Sequence, residues 1–277
     1  YARKNFLDNT LRGGLPISLR AGNKVTTLHL YSRKHGDLER DYNDYRLSAT
    51  NYSQGNGNFR DVNQNRRNDL LINPDVREGN VEHFYNLLQL DGFNPLVVKV
   101  TSFSVKNRKA LDKVLRKAIP AKNLKTVQGF FVQRFAPGQL MSFLNDRRIK
   151  LLMDPDAFIG KVLGACSKHQ ETDFGHCYWS DHWIYNLDLL ENFLAVYPEK
   201  LRYILMDKKS FTFFDNPHRV LPRDDKYVVW DGLPMQLGAV TGDPEKEAMI
   251  KQRSADAYEV RTRSGKGEIY RTTLINK

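Results

Sequence analysis

The chain lacks the cysteines of a disulfide-rich protein and the long apolar runs of a membrane-spanning protein. Its two cysteines among 277 residues, Cys166 and Cys177, do not make a disulfide framework, so a reducing, cytoplasmic compartment is expected. No run of 18 apolar residues occurs, so no segment is predicted to span a membrane. Exact internal repeats and low-complexity linkers are absent as well.

Long blocks of one charge are also missing, although the chain is basic. The formal net charge is +11 at pH 7, with lysine and arginine scattered rather than clustered. A basic balance is compatible with nucleic acid, an acidic membrane surface or anionic substrates. The scattered distribution favours an ordinary solvated surface, so nucleic acid is a disfavoured partner.

Apolar residues at helical spacing dominate what is present. Hydrophobic residues make up 40% of the chain, enough for one large core or two smaller ones. The strongest pattern covers residues 180–197, where Trp183, Ile184 and Leu187 begin an apolar stripe and Pro198 ends the segment. We expect this stripe, including Trp183, to face the core.

Local signals predict about eight helices in sequence, separated by long polar loops. Asp154 and Asp243 each precede proline, which is typical of a helix start. One helix is therefore predicted from Asp154, with Cys166 on its apolar side, and another from Asp243 to about residue 260. The segment 25–31 predicts a short strand, and an Asp-Gly pair within 226–239 predicts a β-hairpin. Further helices are predicted over residues 1–14, 37–45, 80–88 and 111–118.

Residues 51–69, NYSQGNGNFRDVNQNRRND, form the first candidate binding segment. Their composition favours neither helix nor strand, and long polar loops between helices are typical of functional segments. Arg60 offers a fixed fork of donors, Asp61 an acceptor and Phe59 a flat apolar face. Because sugar hydroxyls both donate and accept, this set suits a neutral carbohydrate better than a nucleotide phosphate. A buried polar network that only holds the loop in place is the alternative.

Residues 175–183, GHCYWSDHW, form the second candidate segment, just before the strongest helix. Ser180 is the predicted N-cap, and an acidic side chain at Asp181 in the first turn is stabilised by the helix dipole. Trp179 and Trp183 are candidates for stacking on sugar rings. A core position for Trp183 is the favoured alternative, because it is in phase with the apolar stripe.

Two weaker signals are set aside. His176 and His182 are six residues apart with no third ligand at sensible spacing, so no metal site is predicted. Residues 213–227 form another polar stretch, in which His218 and Arg223 could reach an anion, but a solvated loop is the simpler interpretation.

The two segments together resemble a known family. GNGNFRDVNQN is similar to the GxGFRDxxQD-type stretch of cellobiose-phosphorylase-like enzymes in the six-hairpin glycosidase superfamily, and YWSDHWIYNLDLLENFLAVYPE is similar to their SDDHLWL-type helix start. The resemblance covers residues 24–100 and 170–277. It is weak across residues 101–168, which are interpreted as either an insertion or divergent helices. It implies a mainly α fold, a partial (α/α)6 barrel of six helical hairpins with one small β-hairpin near Trp230. Residues 1–277 would then be part of one catalytic-type domain, truncated at both ends.

The resemblance also implies a sugar site built by both segments at one end of the ring. Arg60 and Asp61 would bind hydroxyls of the glycosyl unit next to the bond being cut, and Asp181 would help from the neighbouring helix start. Asn65 stands where the family pattern usually has an acid, so the sugar contacts need not be identical. The predicted substrate-binding residues are Phe59, Arg60, Asp61, Gln64, Asn65, Trp179, Asp181 and His182.

The implied activity is that of a glycoside phosphorylase or hydrolase acting on a disaccharide or oligosaccharide. In such phosphorylases one carboxylic acid protonates the leaving oxygen while inorganic phosphate, a co-substrate, attacks the other face. The resemblance places that acid after Lys277, in the rest of a longer parent chain, and implies no metal or other cofactor. A noncatalytic module that binds polysaccharide or nucleic acid is the alternative.

Overall fold

The computed structural model describes residues 15–22, 24–30, 52, 56–64, 66–175, 178–236, 238–253, 258–263 and 265–277. The chain divides into two compact units, Tyr1–Gly79 with Val98–Glu171, and Asn80–Val97 with Thr172–Lys277. The helices predicted over 1–14 and 37–45 lie outside the described residues. None of the helices in the described part of the chain combines the length and the apolar character needed to span a lipid bilayer.

The first unit contains two antiparallel strand pairs. β1 (Leu15–Ala21) and β2 (Lys24–Leu30) form a hairpin, which confirms the strand predicted at 25–31. The short β3 (Gly57–Asn58) and β4 (Val97–Val98) precede β5 (Ser102–Val105), which pairs with β6 (Cys166–His169). Cys166, expected on the apolar side of a helix, instead begins β6 and is buried.

Short helices make up the rest of the first unit. They are α1 (Phe59–Gln64), α2 (Asp69–Ile72), α4 (Arg108–Ala118), α5 (Leu124–Phe130), α6 (Pro137–Asp146) and α7 (Pro155–Gly164). Helix α3 (Gly79–Tyr85) has only its first residue in this unit and otherwise belongs to the second unit. Single 3₁₀ turns occupy Pro74–Val76 and Ala121–Asn123. The helices predicted over 80–88 and 111–118 are confirmed as α3 and α4, and α7 begins as predicted.

Helix α7 organises the apolar core of the first unit. It starts where Asp154 Oδ1 accepts a hydrogen bond from the Ala157 amide at 2.9 Å, with Pro155 in the first turn. One face of α7 packs against α4, and another packs against β1. The core side chains gathered here include Leu19, Leu28, Leu111, Leu115, Phe158, Ile159 and Val162, all buried.

Two glycines allow α7 to approach β1 closely. A Cβ added to Gly160 would lie 2.6 Å from the backbone oxygen of Arg20, and one added to Gly164 would lie 2.6 Å from Ala21 Cβ. Side chains at these positions would therefore separate the helix from the strand hairpin.

We expect Gly160→Ala to lower the free energy of unfolding by about 1–2 kcal/mol. Overpacking against an unyielding backbone costs about 1–3 kcal/mol, more than the helix-propensity gain of about 1 kcal/mol. Gly129→Ala is the matched control, since a Cβ on this helical glycine would meet nothing within 4 Å. Urea unfolding measures both variants, and equal shifts would contradict the close-packing argument.

The second unit contains two helices after residue 171 and five short strands. α8 (His182–Val196) and α9 (Pro244–Lys251) are its main helices. β7 (Thr172–Asp173) opens the unit's later segment, β8 (His218–Val220) pairs with β11 (Val240–Gly242), and β9 (Tyr227–Trp230) pairs with β10 (Leu233–Gln236), each pair antiparallel. 3₁₀ turns lie at Pro198–Lys200, Arg223–Lys226 and Leu274–Asn276, and a π-helical turn at Tyr203–Asp207.

The predicted hairpin is confirmed by β9 and β10. Trp230 lies opposite Leu233 across the turn, and both turn residues, Asp231 and Gly232, have positive φ angles of 51° and 73°. This is the turn geometry that an Asp-Gly pair favours, because glycine adopts positive φ without a steric penalty.

The expected mainly α, partial (α/α)6 architecture is wrong. The structure is 45% helical and 20% strand, its sheets are small and antiparallel, and no closed barrel occurs among the described residues. Helix α9 starts as predicted, with Asp243 Oδ1 accepting from the Lys246 amide, but ends at Lys251 rather than near 260. Segments such as Ser102–Val105 are only four residues long, with Phe103 alone buried, so a search for helical periodicity over long windows overlooks them.

Lys277 inserts its ammonium group into the second unit. Its Nζ donates to the backbone oxygens of Thr212 at 2.6 Å and Leu88 at 3.4 Å, and lies 3.8 Å from the Phe213 ring centre. Burial lowers the pKa of Lys277 to about 7, because the charged form loses its hydration.

We expect Lys277 to make the free energy of unfolding rise with pH. Between the folded pKa of about 7 and the ordinary value of 10.5, the unfolded chain binds more protons at this site than the folded chain. Lys277→Met should remove this rise, while Lys266→Met, at an exposed position, serves as control. Urea unfolding is compared from pH 7 upward but below 10.0. Burial raises the pKa of Tyr85 from 10.0 to about 12, so above pH 10.0 the ionisation of this tyrosine in the unfolded chain would lower the free energy of unfolding. Parallel pH curves for wild type and Lys277→Met would contradict the expectation.

Candidate functional site

The first candidate segment folds as a capped helix rather than an open loop. Asn58 Oδ1 accepts hydrogen bonds from the backbone amides of Arg60 at 2.9 Å and Asp61 at 3.5 Å, the second being long. This side chain caps the first turn of α1, a helix start that the composition of the segment did not predict. The expectation that residues 51–69 favour no helix is therefore wrong for Phe59–Gln64.

The predicted binding residues of α1 differ in exposure. Phe59 is fully buried with Val62, so its ring anchors the helix instead of presenting a face to solvent. Arg60 and Asp61 are half-buried neighbours, with Arg60 Nε 3.8 Å from Asp61 Oδ1. Gln64 is half-buried, and its backbone oxygen accepts from Arg67 Nε at 3.1 Å.

The end of this segment is a buried polar network. Arg66 and Asp69 are both buried, and Arg66 Nε lies 3.2 Å from Asp69 Oδ2. A buried ion pair is tolerated where its partners are held in place. The network interpretation therefore applies to these two residues, while Arg60 and Asp61 remain candidates for ligand contact. Asn65 lies outside the described residues.

The second candidate segment leads into α8. Asp181, not the predicted Ser180, is the N-cap residue, although its side chain makes no capping bond. The Ile184 amide donates to the Asp181 backbone oxygen at 3.0 Å, and Tyr185 Oη donates to Asp181 Oδ2 at 3.3 Å. The carboxylate is thus held at the helix start by a residue one turn on.

Helix α8 is rotated relative to the sequence prediction. Trp183, Ile184 and Leu187, expected in the core, are 36%, 61% and 48% exposed. The inner face instead carries His182 and Asn186, which are 2% and 0% exposed. Leu189 and Phe193 complete this buried face at the same helical spacing.

Aromatic side chains surround a glycine beside the N-terminal end of α8. Trp183 Nε1 donates to Tyr178 Oη at 2.9 Å, and the Trp179 ring stacks on His182 with centroids 6.3 Å apart and planes at 19°. A Cβ added to Gly92, whose φ is +83°, would lie 3.2 Å from Trp183 Cζ2 and 3.4 Å from Tyr178 Oη. Only glycine fits both the backbone angle and this space.

Sequence reasoning did not select the turn that contains Gly92. The turn is closed by the Gln89 amide donating to the Phe93 backbone oxygen at 2.8 Å, and Asn94 Nδ2 donates to the Trp179 backbone oxygen at 3.0 Å. The signal available was the Asp-Gly pair at Asp91, since polar turn residues flanked by Leu90 and Phe93 mark a tight turn.

The polar stretch 213–227 is not a simple solvated loop. Asp215 is buried and binds Arg253 at 2.5 Å and Lys246 at 3.4 Å. His218 Nδ1 lies 2.8 Å from Asn216 Oδ1, so this histidine closes its own loop. Burial of the first half of the stretch overturns the solvated-loop interpretation there, although Arg223 is exposed as that interpretation implies.

The two candidate segments belong to different units. Arg60 and Asp61 lie in the first unit, and Trp179, Asp181 and His182 lie in the second. A common site formed by both segments stays a prediction. Within the described residues no group of three His, Cys, Asp or Glu side chains is placed to hold a metal ion, and His176 and Cys177 lie outside those residues.

We expect Gly92→Ala to disturb the aromatic cluster. The methyl group would press on Trp183, and a left-handed backbone angle costs a non-glycine residue about 1–2 kcal/mol. Tryptophan fluorescence and near-ultraviolet circular dichroism should change, together with a lower free energy of unfolding. Gly22→Ala is the control, because Gly22 has φ +61° but nothing within 4 Å of an added Cβ. Unchanged tryptophan spectra in Gly92→Ala would contradict the described packing.

Comparison with known proteins adds no family to this geometry. No protein-family model matches the chain, and no curated protein matches it either.

Proposed function

We propose that this chain supplies sugar contacts in a carbohydrate-active enzyme, a glycoside phosphorylase or hydrolase. The supporting observation is the cluster at the start of α8, where aromatic rings adjoin amide, imidazole and carboxylate groups. Ligand sites of this kind combine flat apolar faces with a few placed polar groups. Sugars present both surfaces, since their rings have apolar faces and their hydroxyls donate and accept.

The exposed aromatic ring is the first part of this argument. Trp183 is partly exposed, while its Nε1 is bound to Tyr178 Oη and its ring edge rests on Gly92. A ring held in this way loses little conformational freedom on binding, which is why rigid aromatic residues contribute strongly to recognition.

The charged groups of the first unit are the second part. Arg60 and Asp61 pair a fixed donor fork with a carboxylate acceptor, both half-buried. A sugar diol can accept from the guanidinium and donate to the carboxylate. We propose that these residues bind glycosyl hydroxyls, as the family resemblance implies.

The proposed chemistry is protonation of the glycosidic oxygen by a carboxylic acid, with attack by phosphate or water on the other face. Asp61 and Asp181 are assigned to hydroxyl binding rather than to this proton transfer, because one adjoins Arg60 and the other adjoins Tyr185 Oη. The acid itself is expected after Lys277, as the resemblance implies.

We expect the 277-residue chain to bind neutral oligosaccharides without cleaving them. Isothermal titration with cellotetraose, maltotetraose and laminaritetraose should reveal binding that changes little between about 50 and about 200 mM salt. Arg60→Ala and Asp181→Asn should weaken it, while Arg67→Ala, an exposed arginine in the same stretch, should not. No sugar or sugar phosphate should be released, with or without inorganic phosphate, because a positioned acid accounts for about 10²–10⁴ in rate.

Two results would contradict the proposal. Binding of single-stranded nucleic acid instead of sugar, falling by about 10³–10⁵ over the same salt range, would favour the noncatalytic alternative. Turnover of an oligosaccharide that Asp61→Asn or Asp181→Asn abolishes would show that the general acid lies within this chain.

A further inference from the structure

The two units of the chain differ strongly in charge, although lysine and arginine are scattered along the sequence. The first unit carries 28 Lys and Arg residues against 14 Asp and Glu residues, a net charge of +14. The second unit carries 15 against 18, a net charge of −3. The excess positive charge of the protein therefore belongs to the first unit, and an asymmetry of this kind favours a polyanionic partner for that unit.

Helix α4 concentrates part of this charge on one face. Its inner face is apolar, since Leu111, Leu115 and Ala118 are all fully buried. The face toward solvent carries four exposed basic residues, Lys109, Lys113, Arg116 and Lys117. The three lysines follow one another at four-residue spacing, so they lie on the same side of the helix, about 6 Å apart along its axis.

No carboxylate of α4 neutralises this basic face. Asp112, the acidic residue of the helix, is directed elsewhere, since its Oδ1 lies 3.8 Å from Arg108 Nε and accepts from Gln128 Nε2 at 2.9 Å. Within the described part of the chain, no acidic side chain forms an ion pair with any of the four exposed cations.

The stability of the helix does not explain this arrangement. Like charges four residues apart repel each other and destabilise a helix. The helix dipole favours cations only near the C-terminal end, where Arg116 and Lys117 lie. Lys109 lies in the first turn, at the positive end of the dipole, and Lys113 has a lysine four residues away on each side. A polyanion bound along this face would relieve that repulsion.

A second basic segment meets the C-terminal end of α4. The Leu152 amide donates to the Ala118 backbone oxygen at 2.8 Å, which brings the segment after α6 to this end of the helix. Lys150 is exposed and precedes Leu152 by two residues, so at most about 7 Å of extended chain separates it from that bond. The α4 basic surface is defined as the four exposed cations of the helix together with Lys150.

The chemistry of this surface favours the phosphates of a nucleic acid duplex. Non-specific duplex binding uses lysine and arginine side chains that reach successive phosphates, and it requires no pocket. Single-strand binding also uses aromatic side chains on which bases stack, and α4 contains none. A membrane-surface helix inserts a free apolar face, whereas the apolar face of α4 is enclosed in the core.

We infer that the first unit binds the phosphate backbone of a nucleic acid duplex through the α4 basic surface. This inference does not rest on the proposed function, because none of its residues is among the proposed sugar contacts. Neutralising four or five phosphates predicts that Kd rises by about 10²–10³ between about 50 and about 200 mM salt.

The test measures binding of fluorescein-labelled DNA and RNA duplexes of about 20 base pairs to the 277-residue chain by fluorescence anisotropy over that salt range. A triple variant with Lys109→Gln, Lys113→Gln and Lys117→Gln should raise Kd at least about tenfold at about 50 mM salt and reduce the salt slope by about three. The matched control neutralises three exposed lysines of the second unit, with Lys200→Gln, Lys209→Gln and Lys266→Gln. It removes the same charge from the chain and should keep the wild-type slope.

Circular-dichroism melting separates binding from folding. The triple variant leaves the buried face of α4 intact, so we expect it to fold. Lys113→Gln alone should reduce the slope by about one, which keeps the inference testable if the triple variant does not fold.

Binding of the DNA duplex, the RNA duplex or both, with the expected loss of slope, supports the inference and identifies the source of the phosphates. Absence of binding to either duplex at about 50 mM salt would overturn it, as would equal slopes for the two triple variants. Tighter binding to phosphatidylserine vesicles or to polyglutamate than to both duplexes would also overturn it, in favour of a membrane or an acidic protein. Each of these outcomes leaves the oligosaccharide titration unaffected.

Discussion

The polar inner face of α8 is the constraint on which the candidate site depends. His182 and Asn186 are buried on that face with Leu189 and Phe193. With these four side chains enclosed, the opposite face of the helix is left toward solvent. Their burial turns Trp183 outward and brings the Trp179 ring against His182. The aromatic surface at the helix start is a consequence of this rotation.

A second set of polar contacts holds the turn that carries Gly92. Asp91 Oδ2 accepts from the Val220 amide at 2.8 Å, and Gln89 Nε2 donates to the His218 backbone oxygen at 2.8 Å. These bonds join the turn that carries Gly92 to the stretch that continues from Asp215 and its ion pairs. A binding group is positioned accurately when its neighbours are also fixed, and here Gln89 and Asp91 are both bonded to residues 218–220.

The carbohydrate proposal now depends on chemistry rather than on architecture. The partial ring of helical hairpins that the family resemblance implied is contradicted by the mixture of short helices and small antiparallel sheets. What supports the proposal is the pairing of Arg60 with Asp61 and the rings around Gly92. Functional groups can recur on unrelated folds, so an error about the fold does not by itself remove the argument from the groups.

The sequence by itself determined the features that neighbouring residues control. Asp154 and Asp243 start helices because an aspartate can accept from the third amide and proline suits the first turn. The Asp-Gly pair at Asp231 makes a hairpin because the turn needs positive φ. Only the tertiary structure decided which face of α8 is buried, since that helix has apolar residues on several sides and periodicity favoured the stripe containing Trp183. It likewise decided that Asn94 lies beside Trp179, because their contact joins residues 85 positions apart and depends on packing that no local pattern records.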